Sequence, residues 1–359
     1  METVIQTILP PATAVLLMLV TMPVISKAAL RFNLTDKPGA RKLHHIPVPL
    51  TGGIGIVLNL LLCSLINTTI FLAFQQLVAI LTASLFLFII GVMDDKSDLR
   101  ASHKLMLQLA VAMALSASGI RLYSFYGLFG VYELAVPLQY LISVLLITGV
   151  INAFNLMDGV DGLAGGIALI GLALMSVFSV LTRNFHLAVF YAAAAAAVVG
   201  FLRFNLHNNK VFMGDAGSLF LGTLIVGSAL YLLKQSGSGS GLQSTFLSIF
   251  AGFFAIPVLD SLRVYLGRLK KGNSPFRADK SHLHHLFLIM GLSHKKISLI
   301  ICGICLVMMA LSYAIHMAGS YTLTITFSVL LFSGLGWLLN LNKKVSVWRE
   351  KIMLLEKGI

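Results

Sequence analysis

Five aspartates are the residues in this sequence best placed to do chemistry. Asp94 and Asp95 follow directly on the apolar run FLFIIGVM, Asp158 and Asp161 sit in NAFNLMDGVDGLAGG, and Asp215 sits in VFMGDAGS. Any one of them alone reads as an ordinary solvated helix terminus. Three acidic clusters at one side of a membrane repel one another unless a cation joins them. Mg²⁺, with Mn²⁺ as a substitute, is the natural one, because it takes carboxylates together with substrate phosphates. The spacing of Asp158 and Asp161 puts both on one face if their segment is helical. Gly214 and Gly217 around Asp215 allow close backbone approach at the N-terminus of the next helix, where anions are favoured.

Cationic segments surround these acids. Residues 36–53, DKPGARKLHHIPVPLTGG, are dense in base and end in Gly52 and Gly53. Residues 263–288, RVYLGRLKKGNSPFRADKSHLHHLFL, hold His282, His284 and His285. Lys270, Lys271, Lys295 and Lys296 suit headgroup attraction. The histidines could bind zinc, but neither a Cys nor a helical His-x3-His pair completes a four-ligand site. Phosphate or sugar contact is the favoured reading. Together the acids and bases suit phosphoryl transfer between a nucleotide substrate and a lipid, where catalysis is mostly positioning and charge neutralisation.

The elements that must position these groups are membrane helices. Of 359 residues, 58% are hydrophobic and 11% charged, against about 45–50% and about 25% in soluble domains. With a mean hydropathy of +0.92, this excludes a soluble globular enzyme, a disordered chain and a disulfide scaffold. Apolar runs centre near Leu17, Leu58, Leu85, Ala112, Val144, Ala173, Ala194, Leu224, Phe253, Leu306 and Leu331. The fold class is therefore all-α, a polytopic integral membrane protein of about eleven spans of ~20 residues each. The first run lacks a small-residue cleavage site and reads as a span, not a signal peptide. All of the 26 Lys and Arg residues except Arg121, Arg183 and Lys234 fall in alternate gaps. The positive-inside rule then puts the N-terminus outside and the C-terminus in the cytoplasm. Of the 13 acids, only Glu2 and Glu133 fall outside.

A single membrane-embedded domain over 1–341 is expected, with active-site loops at 31–50, 94–104, 153–162, 203–218 and 263–296. The tail 342–359, with Val345, Trp348, Ile352 and Leu355 at helical spacing, reads as an interfacial helix or a disordered basic tail. The alanines of 192–197 suit close helix approach, and the Ser-Gly alternation at 236–241 suits a flexible outside loop. Cys63 and the Cys302–Cys305 pair lie inside apolar runs and read as inert.

At DKPGARKLHHIPVPLTGG, GVMDDK, NAFNLMDGVDGLAGG, NLHNNKVFMGDAGS and PFRADKSHLHH, in that order from residue 36 to 285, the sequence resembles the polyprenyl-phosphate N-acetylhexosamine-1-phosphate transferases, glycosyltransferase family 4. It is most similar to the WecA/TagO branch, with MraY more distant. The resemblance implies a bacterial inner-membrane enzyme with a cytoplasmic active site. It would transfer N-acetylhexosamine-1-phosphate, most simply GlcNAc-1-phosphate, from the UDP-sugar to undecaprenyl phosphate. The products would be a lipid diphospho-sugar and UMP, feeding a cell-envelope polymer such as O-antigen, common antigen or teichoic acid. It also implies that Asp158 and Asp215 hold the metal and that Asp94 and Asp95 handle the polyprenyl phosphate, with a base role for one of them left open against a phosphate already largely ionised at pH 7, its second pKa being about 6. Asp161 and Asn155 would face the nucleotide, and Lys104 and Asn205 would line the phosphate site. Arg277, His282, His284 and His285 would meet the diphosphate or sugar, with Gly52 and Gly53 beside the substrate. Partners would be the UDP-sugar, undecaprenyl phosphate and membrane lipids, not nucleic acid; homodimerisation is left open.

Two other readings exist. Asp94-Asp95-Lys96-Ser97-Asp98 spells the D-D-x-x-D of membrane prenyltransferases, although a second repeat of similar form is lacking. Many spans also suit a transporter, although transporters place charges at mid-bilayer, and only Asp260 comes near that.

Overall fold

Apolar stretches this long must become helices in lipid, because each backbone N–H and C=O has to be satisfied within its own segment. The computed structural model describes residues 2–36, 46–207, 210–236, 241–274, 281–319, 322–334 and 336–337. Arg277, the tail 342–359 and most of the 236–241 segment lie outside the described residues. In chain order the helices are α1 (Glu2–Arg31), α2 (Gly52–Ile66), α3 (Thr68–Gln76), α4 (Val78–Ser97), α5 (Ala101–Ala117), α6 (Val136–Met157) and α7 (Leu163–Leu181). Then follow α8 (Phe185–Asn205), α9 (Gly214–Gln235), α10 (Leu242–Lys270), α11 (Leu283–Ile289), α12 (His294–Met317) and α13 (Thr322–Gly334). The chain is a multi-pass, helical membrane protein.

All eleven apolar runs fall on helices, but not as eleven equal spans. Among the described residues, eight helices are long and apolar enough to cross a membrane. The second run is broken: α2 and α3 meet at 115°. The break is at Asn67, whose backbone is extended and whose side chain accepts the Ile70 N–H at 3.1 Å. This is an N-cap that starts a new helix in a new direction. The helices α5, with 17 residues, and α13 are shorter. Two small hairpins supplement the all-α architecture: β1 (Thr35–Asp36) pairs with β2 (Val48–Pro49), and β3 (Ser124–Leu128) with β4 (Val131–Glu133).

The core sits around α9, whose apolar window is 94% buried, against 22% for α1 and 33% for α12. Lipid offers no hydrophobic drive between helices, so association depends on close packing of small residues. A Cβ on Gly91 of α4 would lie 2.4 Å from Ala216 backbone, and one on Gly53 of α2 would lie 2.2 Å from Gly217 nitrogen. The alanine run serves α8 in the same way: Ala193, Ala194 and Ala197 are fully buried, and α8 packs against α1 and α7.

Candidate active site

Helix termini converge at one end of the bundle, and a cavity of about 570 Å³ opens there, within the range of small-molecule sites. Its wall includes Asp95, Asp158, Asp161, Asn205 and Asp215, with Asp36, Lys210, Phe212, His285 and His294. Four of the five aspartates thus share one pocket, although they come from α4, the α6–α7 turn and α9. Asp94 is not on the wall but is linked to Asp215 through Lys104.

The carboxylates are individually engaged. Asp95 accepts the backbone N–H groups of Asp215 at 2.8 Å and Ala216 at 3.2 Å, so a side chain of α4 caps the N-terminus of α9. Gly214 makes this possible: its φ is +74°, and a Cβ there would lie 2.6 Å from Asp95 Oδ2. Asp94 accepts the Leu99 N–H at 2.6 Å and Lys104 Nζ at 2.6 Å. The same ammonium also donates to Asp215, and Asn155 Nδ2 donates to Asp215 Oδ1 at 2.8 Å and to Ser218 at 2.9 Å. Lys104 is therefore a bridge between two acids and is not a wall of the pocket. Asn155 orients Asp215 directly.

Asp158 and Asp161 do not share a helix face. The segment between them is a turn, because α6 ends at Met157 and Gly162 takes φ +79°. The two side chains line the same pocket but meet different partners. Asp161 is held by Lys210 at 2.7 Å and His294 Nδ1 at 2.8 Å. Burial alone would raise its pKa, but these two partners outweigh it and hold the carboxyl below its ordinary value. Asp158 is driven the other way. Burial, then the neighbouring charges of Asp215 and Asp95, push its pKa well above the ordinary carboxylate range, against one hydrogen bond from the Gly214 backbone.

Among the described residues, no basic side chain pairs with Asp158, and no set of three or more potential ligands is already gathered around a point. An uncompensated carboxylate facing two others is nonetheless an all-oxygen donor set suited to a hard divalent cation. The donor chemistry is of the kind Mg²⁺ takes, although no ligand set is gathered among the described residues.

Several expected contacts are reassigned. Only His285 of the HLHH run lines the pocket. His282 is buried against Asp260, Nδ1 to Oδ2 at 3.0 Å. His284 is 2% exposed and packs on Gly159, whose added Cβ would lie 3.1 Å from its Nε2. Burial first, then the neighbouring histidines, lower its pKa to about 3. The short helix α11 spreads adjacent histidines over different surroundings, which explains the split. Gly52 and Gly53 have spent their N–H groups on the carbonyls of Phe212 and Met213, each at 2.9 Å. They are packing positions, not anion donors. Asn205 clamps two loops, accepting the Gly162 N–H at 2.6 Å and donating to the Val211 carbonyl at 2.9 Å.

His294, Lys210, Phe212 and Asp36 are wall residues beyond the expected set. Asp36 opens DKPGARKLHHIPVPLTGG, and Lys210 and Phe212 lie in NLHNNKVFMGDAGS; His294 opens α12 after a Gly-Leu-Ser turn and carries no local signal. The D-D-x-x-D reading loses its third member, because Asp98 caps α4 in the left-handed conformation and is exposed, away from the pocket wall.

The profile of Glycosyl transferase family 4 matches residues 77–233, the stretch that carries all five aspartates. A probable undecaprenyl-phosphate N-acetylglucosaminyl 1-phosphate transferase of Bacillus subtilis (strain 168) is 32% identical over 306 residues, 84% of this chain and 82% of that one. The chain belongs to glycosyl transferase family 4. Further relatives are the undecaprenyl-phosphate alpha-N-acetylglucosaminyl 1-phosphate transferases of Yersinia pestis, 32% identical over 76% of this chain and 74% of that one, and of Escherichia coli (strain K12), 30% identical over 75% and 73%.

Proposed function

We propose that this family 4 protein transfers N-acetylglucosamine-1-phosphate from UDP-N-acetylglucosamine to undecaprenyl phosphate. The observation that carries this reading is the shared activity named for relatives aligned over about three quarters or more of the chain. It is an enzyme of the bacterial inner membrane, a single domain whose pocket faces the cytoplasm. The one-sided placement of the basic residues supports that orientation.

In the reaction, an oxygen of the lipid phosphate attacks the sugar-bearing phosphorus, the P–O bond to UMP breaks, and UMP leaves with the electron pair. A phosphate monoester has its second pKa at about 6, so the nucleophile is already largely ionised near neutrality. No carboxylate is needed as a base, in keeping with the engagement of Asp94 and Asp95 by Lys104 and by the start of α9. Asp158 and Asp215 would hold Mg²⁺, which would supply charge neutralisation on the donor diphosphate. Lys210 and His285, both on the wall, meet donor phosphate or sugar, and Arg277 adds a further cation. Asn155 orients Asp215, Asp161 orients Lys210 and His294, and Asn205 fixes the turn that presents Asp158 and Asp161.

The test is to incubate the purified protein with undecaprenyl phosphate, Mg²⁺ and UDP-GlcNAc, and to identify the nucleotide. UMP together with a lipid diphosphate is the expected outcome. Release of UDP, or no lipid product, overturns the reading. UDP-GalNAc in parallel decides the sugar.

A further inference from the structure

Asp260 stands apart from the five pocket aspartates. It lies on α10, ten residues before the helix ends at Lys270, or about 15 Å back along the axis, and it is fully buried. A carboxylate inside a membrane helix is costly unless every oxygen is satisfied. Among the described residues, its donors come from the start of α11 and from one arginine. Arg263 Nη2 donates to Oδ1 at 2.7 Å, His282 Nδ1 to Oδ2 at 3.0 Å, and the Leu283 N–H is shared by both oxygens at 3.1 Å. Arg263 Nη2 also reaches the Ser281 carbonyl at 2.6 Å. The pair thus grips three consecutive residues, 281–283, the last of which opens the helix that carries His285.

We infer that Asp260, with Arg263, is a positioning residue for the donor half of the reaction: it fixes the start of α11 so that His285 faces the pocket. Apolar packing could hold a helix in contact, but it would leave α11 free to slide or rotate. A carboxylate binding both the Leu283 N–H and the preceding imidazole specifies position and rotation together. Adjacent residues on a helix are turned well away from each other, so a modest rotation would move His285 off the wall. His282 is by this account an anchor, although it belongs to the same run as His285. The inference rests on the transferase reading for its kinetic test, and on the fold alone for its exchange test.

The experiment uses the full chain in detergent, as wild type, Asp260→Ala, Asp260→Asn, His285→Ala and the double variant Asp260→Ala/His285→Ala. Expected for Asp260→Ala is a rise of about tenfold in KM for UDP-GlcNAc, the scale of losing one buried hydrogen-bond partner. The KM for undecaprenyl phosphate should stay within about twofold. Asp260→Asn, which keeps one acceptor for Leu283, should lie between. The double variant should be no worse than His285→Ala, because both act through one contact. Hydrogen–deuterium exchange should speed up at 283–289 in Asp260→Ala while the other helices stay protected. A fall in kcat alone with unchanged donor KM, additive losses in the double variant, or unchanged exchange at α11 each overturns the inference. Should the wild type itself transfer nothing, the functional reading fails, and the exchange result alone decides whether Asp260 fixes α11.

Discussion

The carboxylate of Asp95 binds the backbone N–H of Asp215 at 2.8 Å, so one acid of the pocket holds up the helix that bears another. The two residues are 120 positions apart. Asp260 does the same for Leu283, the first residue of α11. The starts of α9 and α11 are thus capped by side chains from other spans, and this ties the site's geometry to the packing of the bundle.

Asp95→Ala should therefore act on stability as well as on turnover. Loss of a cap of this kind costs about 1–2 kcal/mol, and thermal melting in detergent should shift down accordingly. Asp95→Asn, which still accepts a hydrogen bond, should melt closer to wild type. A wild-type melting temperature for Asp95→Ala would refute the capping role.

Lys104→Met should abolish transfer and lower the melting temperature. It leaves Asp94 and Asp215, both now holding the same ammonium, as two acids with nothing between them. Lys104→Arg should not restore the activity, because a planar fork does not occupy the place of a compact ammonium. Measured kcat of both variants decides this.

Close packing at the centre gives a paired prediction. Gly53→Ala and Gly91→Ala each push a methyl into the backbone of α9 and should destabilise by about 1–3 kcal/mol. Gly149→Ala in α6, which meets nothing within 4 Å, should be neutral or slightly stabilising. Equal melting temperatures for all three would contradict the packing.

Acid should weaken the fold through His284. Its pKa is about 3 when folded and about 6.5 when unfolded, so between those values the unfolded chain binds the extra proton. Its contribution is complete above pH 6.5 and is lost progressively as pH falls toward 3. Asp161, with a lowered folded pKa, adds a loss in the same direction below pH ~4. His284→Gln should flatten the upper part of the melting-temperature profile, and an unchanged profile would remove His284 from the account.

Mg²⁺ should raise the melting temperature, and more so at higher pH. Asp158 holds its proton above the ordinary range without a cation, so a metal must displace that proton, and its affinity rises as pH rises. Asp158→Asn should remove both the stabilisation and its pH dependence, and chelation should stop transfer. A pH-independent Mg²⁺ effect would place the ion elsewhere.

Much of this protein is legible in its sequence, and the reason is local. Hydropathy over ~20 residues decides which segments enter lipid, and Gly and Asp clusters mark where they end. The eleven apolar runs, the collection of four pocket aspartates at one end, and family membership all follow from stretches readable in one dimension. What needed the tertiary structure is which groups pair. Lys104 finds Asp215 across 111 positions and His294 finds Asp161 across 133, through helix rotation and depth that no local pattern encodes. The same cause split the HLHH run, turned Gly52 and Gly53 into packing positions, and bent the second apolar run at Asn67. Hydrophobic burial in a bilayer selects segments without regard to their azimuth; the azimuth is decided by small residues meeting backbone to backbone and by carboxylates that must find a donor once water is gone.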